Sequence, residues 1–221
     1  MHLPGRYEDR SVVLFGAGCI GRGLLARLTS RAGYLPVLVE AMSSLVRQLN
    51  SAQQYGVRLV GRGSNVQAVR DYVALSTMDR EAVTSAIQHA SFAATAVGGV
   101  HLDTVAALLV PGILLRHEPL NILVCENWPS ADEVLAEHLM SIGVARERFA
   151  CIPCVVEPMA RPVQGSLDIV QEAGQPLYAC QRRWLGDRPC IEGLVFVNDL
   201  EAYANRKLYT NNGGHAVLGF E

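Results

Sequence analysis

Residues 11–23 read SVVLFGAGCIGRG, and this stretch decides the fold. Val12, Val13, Leu14 and Phe15 form a short apolar run, the pattern of a strand buried on both faces. Gly16, Gly18 and Gly21 follow at once with the spacing G-x-G-x-x-G. Behind them Ile20, Leu24, Leu25 and Leu28 recur at helical spacing. The glycines therefore sit in a strand-to-helix turn, which is where that spacing has a mechanism. Gly16 permits the tight turn, Gly18 lets a pyrophosphate approach the backbone, and Gly21 lets the helix pack close to the strand. The helix N-terminus adds unpaired N–H groups and a partial positive charge that suit phosphate.

A second marker lies downstream. Val37, Val39 and the intervening Leu38 read as the next strand, which ends in Glu40, 19 residues after Gly21. That is close to the spacing at which a carboxylate meets the adenosine ribose hydroxyls of a dinucleotide. Strand, glycines, helix, strand and acid in this register predict an NAD site. Glu40 favours NAD over NADP because a carboxylate repels a 2′-phosphate; Arg47, one helical turn on, weighs the other way. The candidate cofactor contacts in this unit are Phe15, Gly16, Ala17, Gly18, Cys19, Ile20, Gly21, Arg22 and Glu40.

Composition narrows the class. The 221 residues are 50% hydrophobic and carry a formal charge of -2. That length supports a full core, one domain and part of another. Near-neutrality offers no basic face to nucleic acid. The apolar runs are strand-sized, so no membrane span is expected. The opening MHLPGRYEDRS lacks the apolar core of a signal peptide, and the expectation is a cytoplasmic protein. Six cysteines scattered among apolar strands do not form a disulfide scaffold. Cys151-x-x-Cys154 is half of a zinc site, and zinc alcohol dehydrogenases are a rival class. Cys180 and Cys190 do not supply a second half at matching spacing. Both cysteines of the CxxC fall in an apolar strand over 149–156 and read as buried free thiols, with no metal expected. His89, His101, His117 and His138 have no ligand spacing and read as structural.

Along the chain, residues 1–10 read as a loose leader and 43–50 as a short helix. Period-two alternation over 55–60 and again over 66–75, with a Gly-rich turn between, predicts an inserted hairpin. A helix over 79–89, a strand over 91–97, a helix over 101–110 closed by Pro111-Gly112, and a strand over 121–125 follow. Ser130-x-x-Glu133 reads as a capping box that opens a helix stopped by Gly143. This alternation predicts an α/β, doubly wound, mostly parallel sheet of Rossmann type. Strands are expected at 167–170 and 194–197, and Asp199 is expected to cap a helix reaching about Tyr209. A further apolar element begins at His215.

The second informative stretch is residues 206–215, RKLYTNNGGH, in which Lys207, Asn212 and His215 have the pattern K-x4-N-x2-H. A lysine serves as general base when burial or a nearby positive charge lowers its pKa. By spacing alone, a helix-end lysine followed by turn asparagines fits as well.

FGAGCIGRG, AVGGVHL, PLNILVCEN and RKLYTNNGGHA, in this order, resemble the polyol-specific long-chain dehydrogenases, the mannitol dehydrogenase family. The loop GAGxIGRG points to the branch that acts on mannitol 1-phosphate. The resemblance covers 11–221 and implies metal-independent hydride transfer between NAD and a polyol phosphate, D-mannitol 1-phosphate being interconverted with D-fructose 6-phosphate. It implies that Lys207 takes the proton of the substrate hydroxyl, that Asn212 and Asn127 hydrogen-bond the reacting oxygen, and that His215 positions Lys207 or the hydroxyl. Val97 and Gly98 are implied to line the cofactor. Asn127 also lies just past a strand's carboxyl end, where open α/β sheets bind ligands. Two departures stand out. The family's Asp-Arg pair is replaced here by Glu157-Pro158, with Arg161 the nearest candidate to compensate. Family members also continue into an all-helical domain, so 1–198 is expected to be the NAD-binding domain and 199–221 the start of the helical one. The competing expectations are a non-catalytic NAD-binding fragment and a dehydrogenase of an unphosphorylated polyol or sugar acid.

Overall fold

The computed structural model describes residues 10–61 and 64–209. In chain order, β1 (Ser11–Phe15) leads through a widened π-helical turn (Gly21–Ala26) into α1 (Arg27–Arg31) and β2 (Leu35–Glu40). Next come α2 (Ser43–Ala52), β3 (Gln54–Val60), β4 (Asn65–Arg70), β5 (Val73–Ser76), α3 (Arg80–His89), β6 (Ala90–Thr95) and α4 (Leu102–Leu115). The chain continues through β7 (Leu120–Val124), α5 (Ala131–Ser141), β8 (Phe149–Val156), β9 (Ala160–Pro162), β10 (Ile169–Glu172), β11 (Leu177–Cys180), β12 (Leu194–Val197) and α6 (Leu200–Lys207).

The main sheet has the order β12-β11-β8-β7-β6-β1-β2-β5. The six strands from β5 to β8 are parallel; β11 is antiparallel to β8 and parallel to β12. This is the doubly wound Rossmann order with two strands added at one edge. The order reverses between β1 and β6, and it is in the crevice outside the carboxyl ends of the strands at such a point that open α/β sheets bind ligands. The period of two along β1 sends its side chains into two separate cores. Val13 and Phe15 join Ile87 of α3, Leu109 of α4 and Leu139 of α5. Val12 and Leu14 join Leu28 of α1, Leu49 of α2 and residues of a second sheet. Burying each such side chain contributes about 1.5–3 kcal/mol, so the unbroken apolar run fixes β1 at the centre of the molecule.

The inserted hairpin belongs to that second sheet, ordered β4-β3-β10-β9. Its alternation does not run to Leu75 as the sequence suggests. Asp71 adopts φ 52°, turning the chain out of the small sheet, and Val73–Ser76 pairs instead with β2 in the main sheet. α4 likewise runs past Pro111 and Gly112 rather than ending there. Pro111 and Ala107, the residue whose carbonyl loses an amide partner, both lie on the exposed face, where water serves that carbonyl. Gly112 and Ile113 are buried, and a Cβ at Gly112 would lie 2.5 Å from Ile87 Cβ, so extending the helix gains close packing on α3. The capping box at Ser130 is not formed. Ser130 has φ 53° and its side chain makes no cap hydrogen bond; its carbonyl accepts the Glu133 and Val134 amides instead.

Cys151 and Cys154 are three residues apart on β8 and so project from opposite faces, Cys151 into the core under α5 and Cys154 into the other core. The two thiols cannot share one ion. Burial pushes the Cys151 thiol up to about 12, and it raises that of Cys154 as well, helped by the neighbouring Cys125. Among the described residues no three or more His, Cys, Asp or Glu side chains are grouped to hold a metal ion, and no helix is long and apolar enough to cross a membrane.

Candidate active site

The turn after β1 is built from two glycines that pack against protein and one that faces open space. Gly16 has φ 91° and a Cβ there would strike the Ala96 carbonyl across the crevice; a Cβ at Gly21 would strike the Gly16 carbonyl. At Gly18 nothing lies within 4 Å of the Cβ position. The Ala17 carbonyl accepts from Arg22 Nε at 2.6 Å. Because the peptide is trans, the Gly18 N–H on the same peptide points the opposite way, outward. Glu40, at the end of β2, accepts from the Ala17 amide at 2.9 Å and the Met42 amide at 2.9 Å. A carboxylate has about four acceptor sites, so these two bonds leave capacity for ribose hydroxyls. An open glycine, an outward amide and an acid at the neighbouring strand end fit a dinucleotide.

Two loop residues face elsewhere. The Arg22 side chain is buried, its guanidinium spent on the Ala17 and Leu167 carbonyls and lying 5.9 Å from the Tyr55 ring centroid. It supports the turn from beneath and does not reach its outer surface. Phe15 is buried with its ring in the core under α3, α4 and α5, and its carbonyl accepts from the Ala96 amide at 2.9 Å, so it holds the strand end rather than facing the cofactor space. Cys19 and Ile20 are half-buried at the helix start.

The far wall of the crevice comes from the ends of β6 and β7. Glu126 binds both strands together: its carboxylate accepts from the Val97 amide at 3.0 Å and from the Gly98 amide at 2.8 Å. Gly98 has φ 90°, which this turn requires. The Trp128 indole lies on Gly99, where a Cβ would come within 2.6 Å of it. Glu126 is legible in the sequence only as an acid beside Asn127; its role depends on residues 28 and 29 positions away.

Beside it, the last turn of α6 meets the sheet. Lys207 Nζ donates to Asn127 Oδ1 at 3.2 Å. Lysine has donors only, so the amide oxygen faces Lys207 and the Asn127 NH₂ points away from it. Burial lowers the Lys207 pKa below the ordinary lysine value, and the Glu157 carboxylate works against that shift. Glu157, buried just past β8, accepts from Arg206 Nη2 at 2.8 Å. Asp199 caps α6, accepting from the Ala202 amide at 3.2 Å. Asn212 and His215 lie outside the described residues. The structure thus brings together Lys207, Asn127, Val97–Gly98 and the Gly16–Gly21 turn around one crevice, and it adds Glu126, Glu157 and Arg206.

Residues 10–153 match the mannitol dehydrogenase Rossmann domain family. The chain belongs to this family. Among its relatives, mannitol-1-phosphate 5-dehydrogenase of Brevibacillus brevis is 33% identical over 220 residues, covering 94% of this chain and 57% of that protein. The enzyme of the same name from Arthrobacter sp. strain FB24 is 37% identical over 226 residues, covering 95% and 58%. The chain therefore spans somewhat over half the length of these relatives. A solved structure of Pseudomonas fluorescens mannitol 2-dehydrogenase, a ternary complex with NAD and D-mannitol, superposes with a TM-score of 0.76 at 12% identity, covering 90% of this chain and 55% of that one. D-mandelate dehydrogenase with NADH gives a TM-score of 0.59 at 13% identity, covering 91% and 61%. At these identities the two structures share the fold.

Proposed function

We propose that this chain carries the NAD-binding and proton-transfer groups of a polyol-phosphate dehydrogenase that interconverts D-mannitol 1-phosphate and D-fructose 6-phosphate in the cytoplasm. The observation that carries the reading is the 3.2 Å contact of Lys207 Nζ with Asn127 Oδ1 at the carboxyl ends of the parallel strands, beside a glycine turn open to a pyrophosphate. The names of the relatives supply the substrate. Composition supports the base. Of 19 cationic residues, 18 are arginine, and Lys207 is the only lysine. Arginine stays protonated in proteins, whereas a lysine amine can give up its proton. The one lysine of the chain stands where this reaction needs a base.

In this reading residues 1–198 form the cofactor domain and 199–221 open the helical domain. The Gly18 amide and the helix start receive the pyrophosphate, Glu40 takes the adenosine ribose, and Val97–Gly98 bound the nicotinamide end. NAD supplies the hydride acceptor. The neutral Lys207 amine accepts the proton of the substrate's secondary hydroxyl, and burial keeps that amine more easily deprotonated than an exposed one. Asn127, its oxygen held by Lys207, turns its NH₂ to the reacting oxygen and stabilises charge as it develops there. Asn212 would donate to the same oxygen and His215 would orient Lys207. Reduction runs the same path backwards, with the ammonium giving its proton to the carbonyl oxygen.

The test pairs NADH and NADPH titrations with turnover on mannitol 1-phosphate and on mannitol. Tight NADH binding with turnover of the phosphorylated polyol supports the reading. Tighter NADPH binding, or a preference for unphosphorylated mannitol, contradicts the cofactor or the substrate assignment.

A further inference from the structure

α6 carries the sole lysine yet has no fully buried residue, so apolar packing alone does not set its position. One ion pair does much of that work. Arg206 Nη2 lies 2.8 Å from Glu157 Oε1, and Glu157 is 5% exposed. The same guanidinium lies 5.5 Å from the Tyr178 ring centroid and 5.2 Å from that of Tyr203, and the two rings are themselves 4.0 Å apart. Arg206 thus joins α6 to β11 and to the end of β8. Successive helical residues diverge by about 100°, so while Arg206 reaches Glu157, Lys207 reaches Asn127 beyond β7.

We propose that Glu157 and Arg206 are a positioning pair for Lys207, holding the last turn of α6 on the strand ends and directing the Glu157 charge onto the guanidinium rather than onto the lysine. The proposal rests on the assignment of Lys207 as the base. It deepens that assignment by naming what keeps the amine in place and free to lose its proton. It also accounts for the departure at Glu157-Pro158: the cation facing this carboxylate comes from α6, 49 residues on, and not from a neighbouring position.

Among the described residues the titratable groups at this corner are few. Glu157 stands past β8, Tyr178 on β11 and Glu126 past β7, the last committed to the Val97 and Gly98 amides. On α6 itself are Glu201, Tyr203 and Arg206. Glu157 is the carboxylate that acts on Lys207, and it favours the ammonium. Removing Arg206 takes away the opposing charge, so Lys207 should hold its proton more tightly. Removing the Glu157 charge should do the reverse.

The single lysine makes this directly measurable. Reductive methylation with ¹³C-formaldehyde labels Lys207 and the chain's α-amine, which titrate in separate ranges, near 10.4 and about 8 when unperturbed. Arg206→Gln is expected to raise the Lys207 midpoint by about one unit, a tenfold loss of neutral amine at a given pH. Glu157→Gln is expected to lower it, and the double variant to return it toward the parent value. Shifts in the same direction, or no shift in either variant, overturn the proposal, since a purely structural pair gives no opposite-signed response. Should Glu157→Gln fail to fold, Arg206→Gln decides alone: a raised midpoint supports the pair and an unmoved one overturns it. Lys207→Ala separates the two levels. Turnover that survives it removes the lysine assignment while leaving the titration result standing.

Discussion

Gly18 and Gly21 are both fingerprint glycines, but the structure gives them different tasks, and substitution should separate binding from folding. In Gly18→Val the new side chain starts where nothing lies within 4 Å, at a backbone φ outside the left-handed region. The fold should tolerate it; a restricted unfolded chain even favours a larger residue by about 0.4–1 kcal/mol where the native backbone suits it. The same space is the one a pyrophosphate must enter to reach the outward Gly18 amide. Hydrogen bonds to a charged group contribute about 1.5–3 kcal/mol each. Losing one or two of them costs about 1.5–6 kcal/mol and weakens NADH binding by roughly tenfold to ten-thousandfold, at 1.4 kcal/mol per tenfold. In Gly21→Ala the Cβ collides with the Gly16 backbone carbonyl, which no rotamer relieves, so stability itself should fall by about 1–3 kcal/mol, as overpacking does. The assays are NADH fluorescence titration and urea denaturation for both variants. Unimpaired NADH binding by Gly18→Val, or an unchanged denaturation midpoint for Gly21→Ala, refutes this reading of the turn.

Three further outcomes are expected. NADH should bind more tightly than NADPH, and Glu40→Ala should reduce that preference by about tenfold, or 1.4 kcal/mol; equal binding of the two by the parent protein contradicts the role of Glu40. Oxidation needs the neutral amine, so kcat/KM should rise with pH through an inflection below the ordinary lysine range; an inflection within that range contradicts a partly buried base. The linkage has the same sign. Between the lowered folded pKa of Lys207 and its unfolded value the unfolded chain binds more protons, so this group's contribution to stability rises with pH there. Metal analysis should find no stoichiometric zinc, and one zinc per chain lost on Cys151→Ser contradicts the opposite-face placement of the two thiols.

The parts legible in the sequence are those whose signal is local. The run Val12–Phe15, the glycine spacing and Glu40 placed β1, the turn and β2, because burial on both faces and backbone approach leave their mark within a few residues. β8 coincides with the apolar run over 149–156 for the same reason. What escaped depends on distant partners. The alternation over 66–75 is continuous, but the strand divides at Asp71 because two different sheets accept its halves. Pro111 reads as a stop until α3 provides a surface worth packing against and solvent covers the freed carbonyl. β9 and β11 are too short to show a period before β10 and β8 define their register. At the site, Lys207 and Asn127 were visible as residues, but their meeting across 80 positions was not. Arg206 next to the lysine carried no signal at all, since its partner Glu157 appeared only as a departure from a pattern.

The central claim is that Lys207 is the base, and one comparison tests it most directly. The protein and its Lys207→Ala variant are assayed for mannitol 1-phosphate oxidation by NAD, with NADH affinity measured on both. The account predicts that turnover falls by about 10²–10⁴-fold, the range for losing a positioned general base, while NADH affinity stays as it was. Turnover that survives the substitution, with cofactor affinity unchanged, would contradict it.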